Sequence, residues 1–125
     1  MLTEKVLYPE LSYRIVGLAM QVHRELGYGF LEKVYENSLM VLLRQNSIEA
    51  EQSVDIKVRF QGVIVGDYES DIIVDRKIIL ELKSAKSISG AHRAQTLNYL
   101  KATGFRLGIL LNFGQNGLES ERLIF

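Results

Sequence analysis

The sequence contains no cysteine, and that absence removes disulfides, thiolate zinc sites and cysteine nucleophiles together. Any bound metal must then rest on oxygen or imidazole. Proline occurs once, and no stretch approaches the roughly twenty apolar residues that a membrane span requires. Met1 to Glu10 carries Glu4, Lys5 and Glu10 without an apolar run, which predicts a cytoplasmic protein with no membrane association. Linkers, repeats and low-complexity segments are absent as well, so residues 1–125 are expected to form a single domain. Net charge is also absent, the 15 basic residues balancing the 15 acidic ones.

What is present is ordinary globular composition: 47% hydrophobic and 24% charged residues, enough for one core and one site. The charge is unevenly spread. Residues 1–75 hold seven Lys/Arg against twelve Asp/Glu, whereas residues 76–106 hold Arg76, Lys77, Lys83, Lys86, Arg93, Lys101 and Arg106 against Glu81 alone. A basic block around an acidic centre suits a polyanion held near a metal, although a solvated surface would read the same way.

Leu11, Ile15, Leu18, Ala19, Val22 and Leu26 recur at helical spacing and stop at Gly27 and Gly29, predicting a first amphipathic helix. Leu31, Val34, Tyr35, Leu39, Leu42 and Leu43 form a second stripe reaching about Asn46. From Glu49 the pattern changes to alternation through Val54, Ile56, Val58 and Phe60, a half-buried strand turned at Gln61-Gly62. Val63–Val74 and Ile78–Ser84 read as an antiparallel pair. Ser89-Gly90 opens a helix to about Ala102, Gly104 closes it, and Phe105–Phe113 returns as a buried strand. An Asn116-Gly117 turn and a last strand, Glu119–Phe125, complete an α/β (α+β) domain of order α-α-β-β-β-α-β-β.

Glu81 and Lys83 lie two apart in a strand and leave the same face of the sheet. If Asp75-Arg76-Lys77 forms the preceding loop, Asp71 lies across from Glu81 with Cβ atoms about 4.5–5.5 Å apart. A loop of Asp75-Arg76 alone would pair Asp71 with Leu80 instead and turn it to the other face, because a one-residue slip inverts every side chain. Two carboxylates about 4 Å apart repel by roughly 4 kcal/mol at an effective dielectric near 20, so a cation belongs between them. Lys83 is one such cation, but paired oxygen ligands suit Mg²⁺ or Mn²⁺. Such an ion polarises a phosphoryl oxygen and acidifies water, and Lys83 can position that water or stabilise the phosphorane charge. This is a phosphodiester hydrolysis site; the plainer reading is an exposed ladder of alternating charge.

Together these residues resemble a known family. Gly29-Phe30-Leu31-Glu32-Lys33-Val34-Tyr35 is similar to the signature of the GxxExxY proteins, a branch of the PD-(D/E)XK nuclease-like superfamily. The likeness continues through Ser70-Asp71, Glu81-Leu82-Lys83, the segment His92–Leu100 and Gly104 to Phe113. It implies a restriction-endonuclease-like core, a mixed central sheet flanked by helices, with the site on its central hairpin. By this resemblance Asp71, Glu81 and Lys83 match the superfamily's motif. Glu32 matches a helical glutamate that serves as a further metal or water ligand, and Gln95 a helical glutamine that follows the lysine. Ser70 departs from the motif, standing where the superfamily name has proline.

The supporting residues have plainer readings too. Glu32 sits in a first helical turn, where the helix dipole alone favours an acid by about 0.3–1 kcal/mol. His92, Gln95 and Tyr99 share one helical face, with Ala91, Ala94 and Leu97 as an apolar face beside it. Gln95 is expected to touch substrate or water, with His92, Tyr99, Lys86 and Arg93 as substrate contacts; the last two are equally explained as solubilising charge. His23 reads as a helix-end residue. The expectation is a nuclease using Mg²⁺ or Mn²⁺, with catalytic Asp71, Glu81, Lys83, Glu32 and Gln95, and with Asp71, Glu81 and Glu32 as metal ligands. DNA and RNA are both open as substrate, and a homodimer is allowed. The alternative is an inactive nucleic-acid-binding or protein-interaction module on the same fold.

Overall fold

The structure, a computed structural model, describes residues 7–125, so Glu4 and Lys5 of the charged N-terminus lie outside the described residues. Helix α1, Pro9–Leu26, begins with the one proline, placed where a missing N–H costs no helical hydrogen bond. Ile15, Ala19 and Val22 form its buried stripe. Gly27 ends it at a φ of 76°, its N–H donating to the His23 carbonyl at 2.8 Å. Helix α2, Glu32–Gln45, follows and buries Tyr35, Leu39, Met40 and Leu43. Tyr35 knots the connection between them. Its hydroxyl donates to the Gly27 carbonyl at 2.6 Å and accepts the Phe30 N–H at 3.2 Å, while its ring stacks on Phe113 at 4.4 Å.

Five strands follow in one mixed sheet ordered β1-β2-β3-β4-β5. They are β1 Ala50–Phe60, β2 Val63–Val74, β3 Ile78–Lys83, β4 Leu107–Gly114 and β5 Gly117–Ile124. Between β1 and β2, Gln61 and Gly62 both take positive φ, 50° and 82°, the hairpin turn whose twist matches its strands. β3 and β4 run parallel, which requires a long crossover, and helix α3, Gly90–Thr103, supplies it. The closing turn holds Gln115-Asn116, because Gly114 pairs with Gly117 and β5 begins there, two residues earlier than the sequence pattern predicts.

Helices cover both faces of the sheet, so the central strands read as continuous apolar runs. All of β4 is buried, as is β3 up to Lys83. On one face Ile72, Leu80, Leu82, Ile109 and Leu111 pack under α1 and α2; on the other Ile56, Ile73 and Ile79 pack against Tyr99 and Leu100 of α3. The sequence pattern of α3 is misleading here. Thr96, Tyr99 and Leu100 are its buried residues, whereas Ala91 and Ala94 are exposed. Alanine offers little area to bury, and Gly108 of β4 lets Thr96 approach the sheet instead.

A methyl added at Gly108 would stand 2.7 Å from the Thr96 Cγ2 with the Ile79 carbonyl 3.7 Å behind, so Gly108→Ala has little room to relax. It should cost about 1–3 kcal/mol by overpacking. Gly17→Ala in α1 meets nothing within 4 Å and should raise the melting temperature through helix propensity. Thermal denaturation checks both, and opposite signs are expected.

Among the described residues, no helix is long and apolar enough to cross a membrane.

Candidate active site

The β2–β3 hairpin sets the geometry. Val74 pairs with Ile78, leaving Asp75-Arg76-Lys77 as a three-residue loop, with Asp75 and Arg76 at φ of 52° and 53°. The ladder runs through Ile73–Ile79 and Ile72–Leu80 and then stops. Beyond it the side chains take over the bonding between strands. Glu81 Oε2 accepts the Asp71 N–H at 3.0 Å, and Asp71 Oδ2 accepts the Leu82 N–H at 2.7 Å. Asp71 and Glu81 are thus fixed reciprocally at the point where the strands separate. Lys83, two residues on, donates its Nζ to Gln95 Oε1 of α3 at 3.2 Å.

This arrangement is electrostatically costly. Glu81 is only 3% exposed, and burial, followed by the charge of Asp71, pushes its carboxyl up to about 8. The Asp71 N–H and Lys83 oppose that rise. Asp71 is also held above the usual carboxylate range, chiefly by burial, against the opposing Leu82 hydrogen bond. Lys83 makes no ion pair with either acid and bonds instead to Gln95. One oxygen on each carboxylate, Asp71 Oδ1 and Glu81 Oε1, accepts no hydrogen bond from the described residues. A hard divalent cation suits such a donor set: two acidic oxygens, desolvated and lacking a direct counter-charge. Among the described residues no group of three His, Asp or Glu side chains stands in ligating positions, so the remaining ligands of such an ion would be water or substrate.

The other expected residues divide. Glu32, the first residue of α2, is exposed and reaches the site through its charge, which raises the Asp71 carboxyl. Tyr99 is buried beside Tyr68; burial first, then the charges of Glu81 and Asp71, push its hydroxyl up to about 12. His92 is occupied in the α3 cap, its Nδ1 accepting the Ser89 N–H at 3.1 Å and its own N–H donating to Ser89 Oγ at 3.2 Å. Arg93 is bonded to Glu121 at 2.7 Å across to β5. Lys86 is exposed beside Tyr28 and the β4–β5 turn, lining a separate cavity. His23 holds its helix end to the sheet, 2.7 Å from the Gly114 carbonyl.

Two residues near the site escape the sequence reading. Glu36 is buried on α2, bonded to Gln52 at 2.6 Å and Lys33 at 3.0 Å, and its charge raises both Asp71 and Glu81. Its signal is spacing: it precedes Leu39 and Leu43 by three and seven, an acid on the apolar stripe. Asn112 pairs in register with Lys83 and binds both backbone groups of Ala85, accepting at 2.8 Å and donating at 3.0 Å. It pins the chain just after the lysine. Its signal is a lone polar residue within the apolar run of β4.

A mixed five-stranded sheet with helices on both faces, and an acid pair and lysine where its antiparallel hairpin opens, defines a restriction-endonuclease-like fold. The model of the PD-(D/E)XK nuclease superfamily matches residues 9–123, and the chain belongs to that superfamily. Two solved structures share the fold. The structure titled SSO0001 is 22% identical at a TM-score of 0.57, over 74% of this chain and 48% of that one, so this chain spans about half its length. An alkaline exonuclease from Laribacter hongkongensis, LHK-Exo, is 10% identical at a TM-score of 0.56, over 98% of this chain and 72% of that one. No curated protein matches the chain.

Proposed function

We propose that this protein is a divalent-metal-dependent nuclease of the GxxExxY branch, hydrolysing phosphodiester bonds of nucleic acid. The observation that carries the reading is the reciprocal bonding of half-buried Asp71 and buried Glu81, each with an oxygen that accepts no hydrogen bond and neither with a paired cation among the described residues. Superfamily membership supports it. Asp71 and Glu81 would hold Mg²⁺ or Mn²⁺, with Glu32 adding negative charge from α2. When bound, the ion supplies Lewis-acid polarisation and a more acidic water.

The chain's own groups do the rest. Lys83 places an ammonium where negative charge grows on the attacked phosphate, and Gln95 orients it through the 3.2 Å hydrogen bond. The closed backbone bonds of Leu82 and Asp71 fix the carboxylates before substrate arrives, so little reorganisation accompanies reaction. Ala85, held by Asn112, limits the drift of Lys83.

Titration with Mn²⁺ tests the reading. At a hundredfold excess over its dissociation constant, a ligand bound to the folded state alone stabilises by about 2.7 kcal/mol, so the melting temperature should rise by several degrees. Asp71→Asn and Glu81→Gln should each lose that rise while remaining folded without metal. A variant keeping the full rise would remove its residue from the ligand set. Cleavage of labelled single- and double-stranded DNA and RNA in Mg²⁺ or Mn²⁺ is the companion measurement; binding without cutting would favour the inactive module.

A further inference from the structure

Beside the site lies a groove of about 860 Å³ between the β1–β2 hairpin and α3. Its size is within the range of roughly 300–1,000 Å³ typical of ligand clefts. Gln95 and Tyr99 line its wall and also connect it to the centre, Gln95 as the partner of Lys83. The groove therefore borders the site at Gln95, one hydrogen bond from Lys83, while Asp71 and Glu81 themselves do not line it.

Its lining has the character of a nucleic-acid path. Lys57, Arg59 and Lys101 contribute positive charge, and no Asp or Glu lines it. Lys57 is partly neutralised by Asp67 at 2.7 Å and Asp55 at 3.7 Å on the hairpin, but Arg59 and Lys101 have no ion-pair partner among the described residues. Between the charges stands Tyr68, 49% exposed, its ring 5.9 Å from that of Tyr99 and tilted by 47°. Gly66 keeps this ring in place. A Cβ there would lie 2.9 Å from the Tyr68 ring and 3.3 Å from the Val58 Cβ, so the strand is left bare where the tyrosine lies across it. On the opposite wall the exposed Ala91, Ala94 and Ala102 of α3 alternate with the polar Gln95, Asn98 and Lys101.

A duplex presents phosphates and groove edges with its base faces already stacked, and has no use for an exposed ring between cations. An unpaired strand offers base faces and phosphates together, the combination read by an aromatic platform flanked by cations. We infer that this groove binds a single strand of nucleic acid, with a base stacked on Tyr68 and backbone phosphates at Arg59 and Lys101, and guides it to the site. The inference rests on the nuclease reading and names its substrate class: single-stranded ends, flaps or loops.

The test is binding in EDTA, where cleavage cannot intervene, measured by fluorescence anisotropy on single-stranded and duplex oligonucleotides of the same sequence. The parent should favour the single strand by about tenfold or more. Tyr68→Ala should weaken that binding by about five- to a hundredfold, whereas Tyr68→Phe, which keeps the stacking face, should bind like the parent. Arg59→Ala and Lys101→Ala should each reduce the salt slope by about 0.7, the value for one phosphate on a single strand. Melting curves of each variant separate lost binding from lost folding, and the exposed Arg59 site serves if Tyr68→Ala unfolds. Equal or tighter duplex binding overturns the inference. So does unchanged single-strand binding by folded Tyr68→Ala, or a dimer in solution that Tyr68→Ala dissociates, which would assign the face to a second copy. Single-strand binding without cleavage in Mn²⁺ would sink the nuclease reading and leave the groove standing; cleavage without strand preference would do the reverse.

Discussion

Lys83→Ala is expected to slow single-turnover cleavage by about a hundredfold or more, equivalent to roughly 2.7 kcal/mol of transition-state stabilisation, with little change in affinity. The reason is where charge appears. Negative charge on a phosphoryl group grows between ground and transition state, so a fixed ammonium beside it contributes more to rate than to binding. Lys83 is fixed: its Nζ is held by Gln95 and its strand continues into the Ala85 segment that Asn112 clamps. Gln95→Ala should therefore lower turnover by a smaller factor, since the ammonium remains but is less well aimed. If Lys83→Ala cleaves at the parental rate once saturated, the lysine is only a phosphate contact and the chemistry lies elsewhere.

Lys86 and Arg93 belong to a different class of effect. The sequence offers both as phosphate contacts, but Arg93 spends its guanidinium on Glu121, and Lys86 faces the β4–β5 turn. Arg93→Ala is accordingly expected to loosen the junction of α3 with β5, detectable as a small drop in melting temperature, and to leave turnover unchanged. Solvent reaches both side chains of that pair and screens it, so the drop should be small.

The contrast shows what was legible in the chain. Register was legible as a choice between two loop lengths with opposite consequences for Asp71, and the three-residue loop after Val74 is the one that brings Asp71 and Glu81 together. Element order was legible from period alone. The partners of exposed charges were not, because Arg93 and Glu121 lie 28 residues apart and nothing in either local pattern marks the other. The face of α3 was misread for a related reason: helical spacing gives candidate faces, but Gly108 on another strand decides which one approaches. The groove was hidden as well. Its basic residues come partly from β1, outside the block of positive charge that the sequence displays. Glu36 illustrates a third limit, since an acid on an apolar stripe signals a buried partner without saying that Gln52 is the one.

Stability of the metal-free protein should fall as pH rises from about 4.5 to about 8, a window set by the ordinary glutamate value and the raised Glu81 value. In that interval the unfolded chain releases its proton before the folded one does, so the unfolded state binds fewer protons and gains on the native state with each step of pH. Below the window both states are protonated and the penalty is absent; above it both are ionised and the penalty is complete. Asp71, shifted in the same direction, extends the loss toward lower pH. At 1.36 kcal/mol per pKa unit, and allowing for mutual coupling of the two acids, the accumulated loss is roughly 2–4 kcal/mol. Glu81→Gln removes the ionisation and should be the more stable protein at pH 8, with a flatter profile. Saturating Mn²⁺ should flatten the parent's profile too, because a cation between the carboxylates stabilises their charged forms. Urea denaturation at half-unit pH steps, for parent and Glu81→Gln with and without Mn²⁺, isolates the carboxyl from the histidines common to both. Parallel profiles for the two proteins across the window would mean that Glu81 is already ionised at ordinary pH, and the electrostatic case for a metal at this position would be lost.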